Sequence, residues 1–238
     1  MDACTRLDMA RRAEGPAGLA AHLATLQALR GPGRPFPPRL REVKAWQARR
    51  LAATYADLMR EPRYAAATRF FLEDLYGPKD FSARDAELMR IVPTMQRVLP
   101  ASAVETAALA IELEALTEAL DHALAGALAP GSLDEARYAA AYRASSTREE
   151  RLRQVELVEA VARRLDGLVG KPFIGATLRL MRAPAQLAGL GDLQDFLERG
   201  FAAFRAMHGC EAFLGVLRER ETAIVNRLFS DASRPSAA

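Results

Sequence analysis

The sequence predicts an all-α protein, an antiparallel multi-helix bundle or globular array of about eight helices. Three observations carry that prediction. Apolar residues recur at three- and four-residue steps, as in Leu109, Leu113, Leu116, Leu120 and Leu124. Proline and glycine fall where those stretches end. No segment alternates apolar and polar residues with β-branched enrichment, so strands are not expected. The chain has 238 residues, 50% hydrophobic and 26% charged, enough to bury a sizeable core in one large domain or two small ones.

Residues 1–37 read as a flexible N-terminal arm, residues 38–230 as a single all-helical domain, and residues 231–238 as a disordered tail. Within the arm, Ala17 to Leu29 is helix-prone but thinly apolar. Gly31 to Arg39, GPGRPFPPR, favours extended or polyproline II backbone and is read as a stiff linker, a proline-rich ligand being the functional alternative. From Pro38 helix follows helix, with breaks expected at Pro62, Gly77-Pro78, Pro100, Pro130-Gly131, Ser145-Ser146, Gly170 to Pro172, Pro184, Gly189 to Gly191 and Gly209.

Phe70 to Asp85 specifies a helix end, a turn and the next helix. Phe70, Phe71, Leu75 and Tyr76 lie at helical spacing, Gly77-Pro78 stops the helix, and Ser82 with Asp85 forms a near capping box. The clearest helix runs from Ser102 to Leu128. Its leucines form one stripe, and Val104, Ile111 and several alanines lie nearer the other side, predicting a central helix with more than one neighbour. A second long helix, Thr147 to Val169, turns Leu152, Val155, Val158 (or Leu157), Val161 (or Ala162) and Leu165 inward. Its Arg148, Glu149, Arg151, Arg153, Glu156, Glu159, Arg163 and Arg164 read as a solvated face. LMREP at Leu58 to Pro62 echoes LMRAP at Leu180 to Pro184, which is read as chance in a chain rich in Leu, Ala and Arg, a duplicated pair of helices being the alternative.

FFLEDLYGPKDFSARD, followed by Ile91-Val92-Pro93 and Leu99-Pro100, resembles the signature of an uncharacterised family of bacterial all-helical proteins. The similarity extends to LMRAPAQLAGL and FLERGFAAF and so covers about residues 40 to 230. The resemblance implies an all-helical fold and supplies no substrate, cofactor or catalytic residue.

Charge and motif content narrow the function classes. Against 30 acidic residues stand 33 basic ones, a formal charge of +3, which describes a mixed surface rather than a polyanion-binding one. Arg39, Arg41, Lys44, Arg49 and Arg50 cluster around Trp46, but they spread over more than one helical face and Glu42 interrupts them. Cys4 and Cys210 are the only cysteines, with no CxxC spacing, which favours a reducing compartment, the cytoplasm. No stretch approaches a membrane-spanning length of uncharged apolar residues, so no membrane partner is expected.

Glu118 and His122, with Glu114 and Asp121 nearby, superficially suggest half of a bundle metal site. The Glu-x-x-His pairs such sites use are missing, and Glu118 and His122 fall opposite the leucine stripe, where an ordinary surface pair is expected. No metal is expected. No G-x-S-x-G elbow, GxxxxGK[ST] loop or GxGxxG turn occurs, so an enzyme is unsupported and no catalytic residue is assigned.

Two functions remain. The leading one is a non-enzymatic protein-binding, regulatory or adaptor protein, using Trp46 or the surface around Tyr76, Lys79, Asp80 and Phe81. No cofactor is expected on this reading, and nucleic acid is disfavoured. The alternative is a bundle binding haem, another tetrapyrrole or a flat hydrophobic ligand through His208 with Phe201 and Phe204, near Phe196 and Phe213. Against that ligand stands a plain structural role for His208 as a helix-terminal residue before Gly209.

Overall fold

The computed structural model describes residues 15–30, 37–75, 87, 90–92 and 101–230. Over these residues the protein is an all-α globular array without strands. Its helices are α1 (Gly15–Arg30), α2 (Pro38–Thr54), α3 (Pro62–Phe70) continuing as a π-helical turn over Phe71–Leu75, α4 (Ala101–Ala127) and α5 (Glu135–Ser145). Then come α6 (Arg148–Val169), α7 (Pro172–Leu187), α8 (Gly191–Met207) and α9 (Glu211–Ser230). The Gly77 to Asp85 part of the Phe70 to Asp85 joint lies outside the described residues.

Local chemistry sets the boundaries. Pro38, Pro62 and Pro172 open α2, α3 and α7, where a missing N–H costs nothing. Asp134 caps α5 by accepting from the Arg137 N–H at 2.8 Å. Thr147 and Glu150 form a reciprocal capping box on α6: Thr147 Oγ1 accepts from the Glu150 N–H at 3.2 Å, and Glu150 Oε2 from the Thr147 N–H at 2.8 Å. One expected break is absent, for α7 runs through Pro184. Leu180 and Pro184 both face solvent there, so water can reach the carbonyl that the missing N–H leaves unbonded. The LMREP echo therefore has no structural counterpart: Pro62 opens a helix and Pro184 sits inside one.

Three apolar clusters build the core. One joins α2, α3, α6, α8 and α9 around Tyr55, Phe70, Val158, Phe204, Met207 and Leu217. A second packs α1 on α4 and α6 through Leu19, Leu23, Leu26, Leu116, Leu120 and Leu157. The third gathers Val43, Leu124, Tyr138, Tyr142 and Leu228 from α2, α4, α5 and α9. Leu116, Leu120 and Leu124 of the predicted stripe are fully buried, and α4 meets α1, α2, α5 and α6.

The structure corrects three expectations. The helix within the supposed arm is docked, because Leu19, Leu23 and Leu26 repeat at four and three residues and bury one face of α1 against α4. On α6, Arg151 and Glu159 are buried at 3% and 7% exposure, the rest of the charged face being wholly or partly exposed. Glu118 is no surface residue but fully buried, since α1 and α2 cover the side of α4 away from the stripe. Among the described residues no helix is long and apolar enough to cross a membrane.

Candidate functional site

Five helices converge on a cavity of about 60 Å3, each contributing side chains at helical spacing. Gln47, Arg50 and Leu51 come from α2, Thr117 and Asp121 from α4, and Tyr138 and Tyr142 from α5. Arg151, Gln154, Val155 and Val158 come from α6, and Leu217, Glu221 and Val225 from α9; Phe71 completes the wall.

Almost every polar group there has a partner inside the protein. Arg50 Nη1 donates to both Glu221 oxygens at 2.8 Å, and the Tyr55 hydroxyl donates to Glu221 Oε1 at 2.9 Å. Gln47 Nε2 donates to Asp121 Oδ1 at 2.8 Å, and Gln154 Nε2 to Thr117 Oγ1 at 2.7 Å. Arg151 is different. Its guanidinium lies 4.1 Å over the Tyr142 ring and Nε donates to Ser146 Oγ at 3.0 Å, yet its buried Nη2 has no hydrogen-bond partner.

Asp121 ties the cavity to a buried ionic network. Lys44 Nζ reaches Asp121 Oδ2 at 3.1 Å and Glu118 Oε2 at 2.9 Å, while Arg30 spans Glu114 at 2.6 Å and Glu118 at 2.5 Å. His122 Nε2 stands 3.4 Å from Glu118 Oε1, close enough to pair when protonated. Burial pushes the Glu118 carboxyl up, but His122, Arg30 and Lys44 together hold it well below the usual carboxylate range. Burial likewise pulls the Lys44 ammonium down, and Asp121 and Glu118 more than reverse it. Burial raises both Tyr138 and Tyr142, keeping the two phenols neutral.

A second feature lies on the surface. The inner face of α7 is small, with Gly175 and Ala185 buried. A Cβ on Gly175 would come within 2.8 Å of the Phe201 ring, so the helix sits tight on α8. Its bulky residues point the other way. Phe173, Leu180 and Leu187, seven apart, are 61%, 77% and 91% exposed, with Met181 beside them and Leu197 of α8 also exposed. Between Lys171 and Leu190 the chain carries Lys171, Arg179 and Arg182 and no acidic residue.

The structure disperses the site residues expected from sequence. Trp46 is partly buried, stacked on Tyr138 at a 5.8 Å ring separation, with the Arg49 guanidinium 5.9 Å from the Trp46 ring centroid. Tyr76, Lys79, Asp80 and Phe81 lie outside the described residues. Phe204 is in the main core, Phe201 packs on Gly175, and His208 is exposed at the end of α8 in the left-handed region, φ 50°. None of these three lines the cavity. Of the basic cluster, Lys44 and Arg50 point inward to Glu118, Asp121 and Glu221. Burial, with Asp166 and Glu211 nearby, pushes the Cys210 thiol up to about 11. Among the described residues no group of three or more His, Cys, Asp or Glu could hold a metal ion.

The cavity residues Gln47, Arg50, Arg151 and Glu221 were not anticipated, although a signal existed. Arg151 stands four residues before Val155, and Glu221 midway between Leu217 and Val225, so each interrupts an apolar stripe in register with it.

The sequence profile of a family described as Domain of unknown function (DUF8198) matches residues 28–235. The chain belongs to this family. No curated protein matches it, nor does any solved structure. The matched span of the DUF8198 chain includes α2 to α9, and with them the whole cavity and the exposed face of α7.

Proposed function

We propose that this DUF8198 protein is a non-enzymatic protein-binding protein whose docking surface is the outer face of α7. One observation carries the reading: α7 turns Phe173, Leu180 and Leu187 to solvent and small residues to the core, the reverse of what folding alone favours. The occupant we infer is an amphipathic helix of another protein with acidic flanks, matching the positive charges of Lys171 and Arg179, while Arg182 is paired with Glu198 of α8. A second copy of the chain fits less well. Antiparallel pairing about Leu180 would bring Arg179 of the two copies together near the axis. Nucleic acid also fits less well, since Lys44 and Arg50 are engaged internally.

The same reading takes the protein as cytoplasmic and its family as bacterial, on two cysteines without a disulfide framework and on the FFLEDLYGPKDFSARD resemblance. A displayed library of helical peptides, selected on the purified protein, tests the surface. Selected peptides should place apolar residues at i, i+3 or i+4, and i+7 with Asp or Glu beside them, and should lose binding to Leu180→Glu. Peptides without that pattern, or binding unaffected by Leu180→Glu, would refute it.

A further inference from the structure

We propose that the internal cavity is a binding site for a small planar monoanion, of the carboxylate type, held by Arg151. Arg151 lines the cavity and is 3% exposed, and its buried Nη2 has no hydrogen-bond partner. Among the described residues no carboxylate lies within ion-pair distance of it, whereas Arg50, the other guanidinium there, is matched by Glu221 and Asp121 by Lys44. Arg151 is thus the buried cation of the cavity without an ion-pair partner of its own. A water molecule would satisfy the N–H but not the charge, and a buried charge without a counterion is costly. A guanidinium stacked on an aromatic ring presents its free edge to a planar oxyanion, the geometry carboxylates prefer.

Size narrows the class. A cavity of about 60 Å3 is two-fifths of the roughly 150 Å3 that holds six-carbon benzene, so a guest of about three non-hydrogen atoms, the size of formate, is the upper limit. Val155 and Val158 add apolar wall to the same cavity. A guest so small binds at best in the sub-millimolar to millimolar range. This site shares no residue with the outer face of α7 and stands whether or not that face binds protein.

The test is a thermal melt in sodium formate against the same concentration of sodium chloride, on the full chain and on Arg151→Met. Replacing an unpaired buried cation by an apolar side chain should leave the fold intact. The midpoint should rise by about 2 to 5 °C in 100 mM formate for the wild type and not for Arg151→Met. Equal responses of the two proteins, or an equal rise in benzoate, which is too large for the cavity, would overturn the proposal. If Arg151→Met does not fold, NMR of the wild-type arginine Nε–Hε signals decides: a saturable shift of one signal with formate supports the site, and none rejects it.

Discussion

Glu118 is the residue where sequence and structure diverge most, and its energetics follow from its partners. A surface pair contributes a few tenths of a kcal/mol, but removing one member of a buried ionic network leaves the others unmatched. Glu118→Ala should therefore cost about 3 to 5 kcal/mol, comparable to the about 2 to 5 kcal/mol expected for Leu116→Ala. Urea denaturation of both variants measures this. The Glu118 carboxyl is lowered in the folded protein, so its contribution is present above the unfolded-state value and is lost as pH falls toward the folded-state one. The stability gap between wild type and Glu118→Gln should thus shrink from about pH 4 downward, and a gap constant to pH 2.5 would contradict the pairing. Lys44 is raised, so its share is fully present through neutral pH and is lost as pH rises from the unfolded-state value to the raised folded one. His208 offers an opposite case. It is the non-glycine residue with positive φ among those described, at a position where helices favour glycine. His208→Gly should stabilise by up to about 1 kcal/mol, a melt that haem ligation would instead see fall.

At the scale of elements, most boundaries were legible because short-range chemistry writes them. Pro38, Pro62 and Pro172 start helices, Thr147 with Glu150 caps α6, and Leu116, Leu120 and Leu124 of the α4 stripe are buried, with Leu109 and Leu113 partly so. Helix burial that depends on distant neighbours was not legible. The apolar repeat of α1 is short, and only the fold shows that α4 receives it and that Arg30 closes on Glu114 and Glu118. Leu23→Ala should accordingly destabilise by about 2 to 5 kcal/mol, where a detached arm would show no change. The cavity escaped notice for the same reason: Arg151 and Glu221 look like ordinary helix charges until five helices enclose them. On α7 the expectation is reversed. Leu180→Glu and Leu187→Glu should leave the unfolding free energy within about 0.5 kcal/mol of wild type, since neither side chain is buried.

For the whole molecule, each pair of apolar clusters shares a helix, α2 and α9 linking the first to the third, α6 the first to the second and α4 the second to the third, so they should unfold together. Trp46 reports on the cluster around Tyr138, and Cys210, in a Cys4→Ser background, reports by thiol labelling on the main core. Coincident denaturant midpoints are expected from the two probes and from circular dichroism, and separated ones would divide the molecule into independent units. The cavity and the α7 face lie in a molecule whose buried charges are matched almost throughout, which makes the bulky exposed residues of α7 the surface feature that folding leaves unexplained. Photo-crosslinking from p-benzoylphenylalanine placed singly at positions 180, 187, 49 and 140 in cells, with the adducts mapped by mass spectrometry, tests that surface most directly. The account predicts adducts from 180 and 187 to an acidic amphipathic segment of another protein and none from 49, beside Trp46, or from 140 on α5; adducts from 49 instead, only to a second copy of the chain, or from none of the four would contradict it.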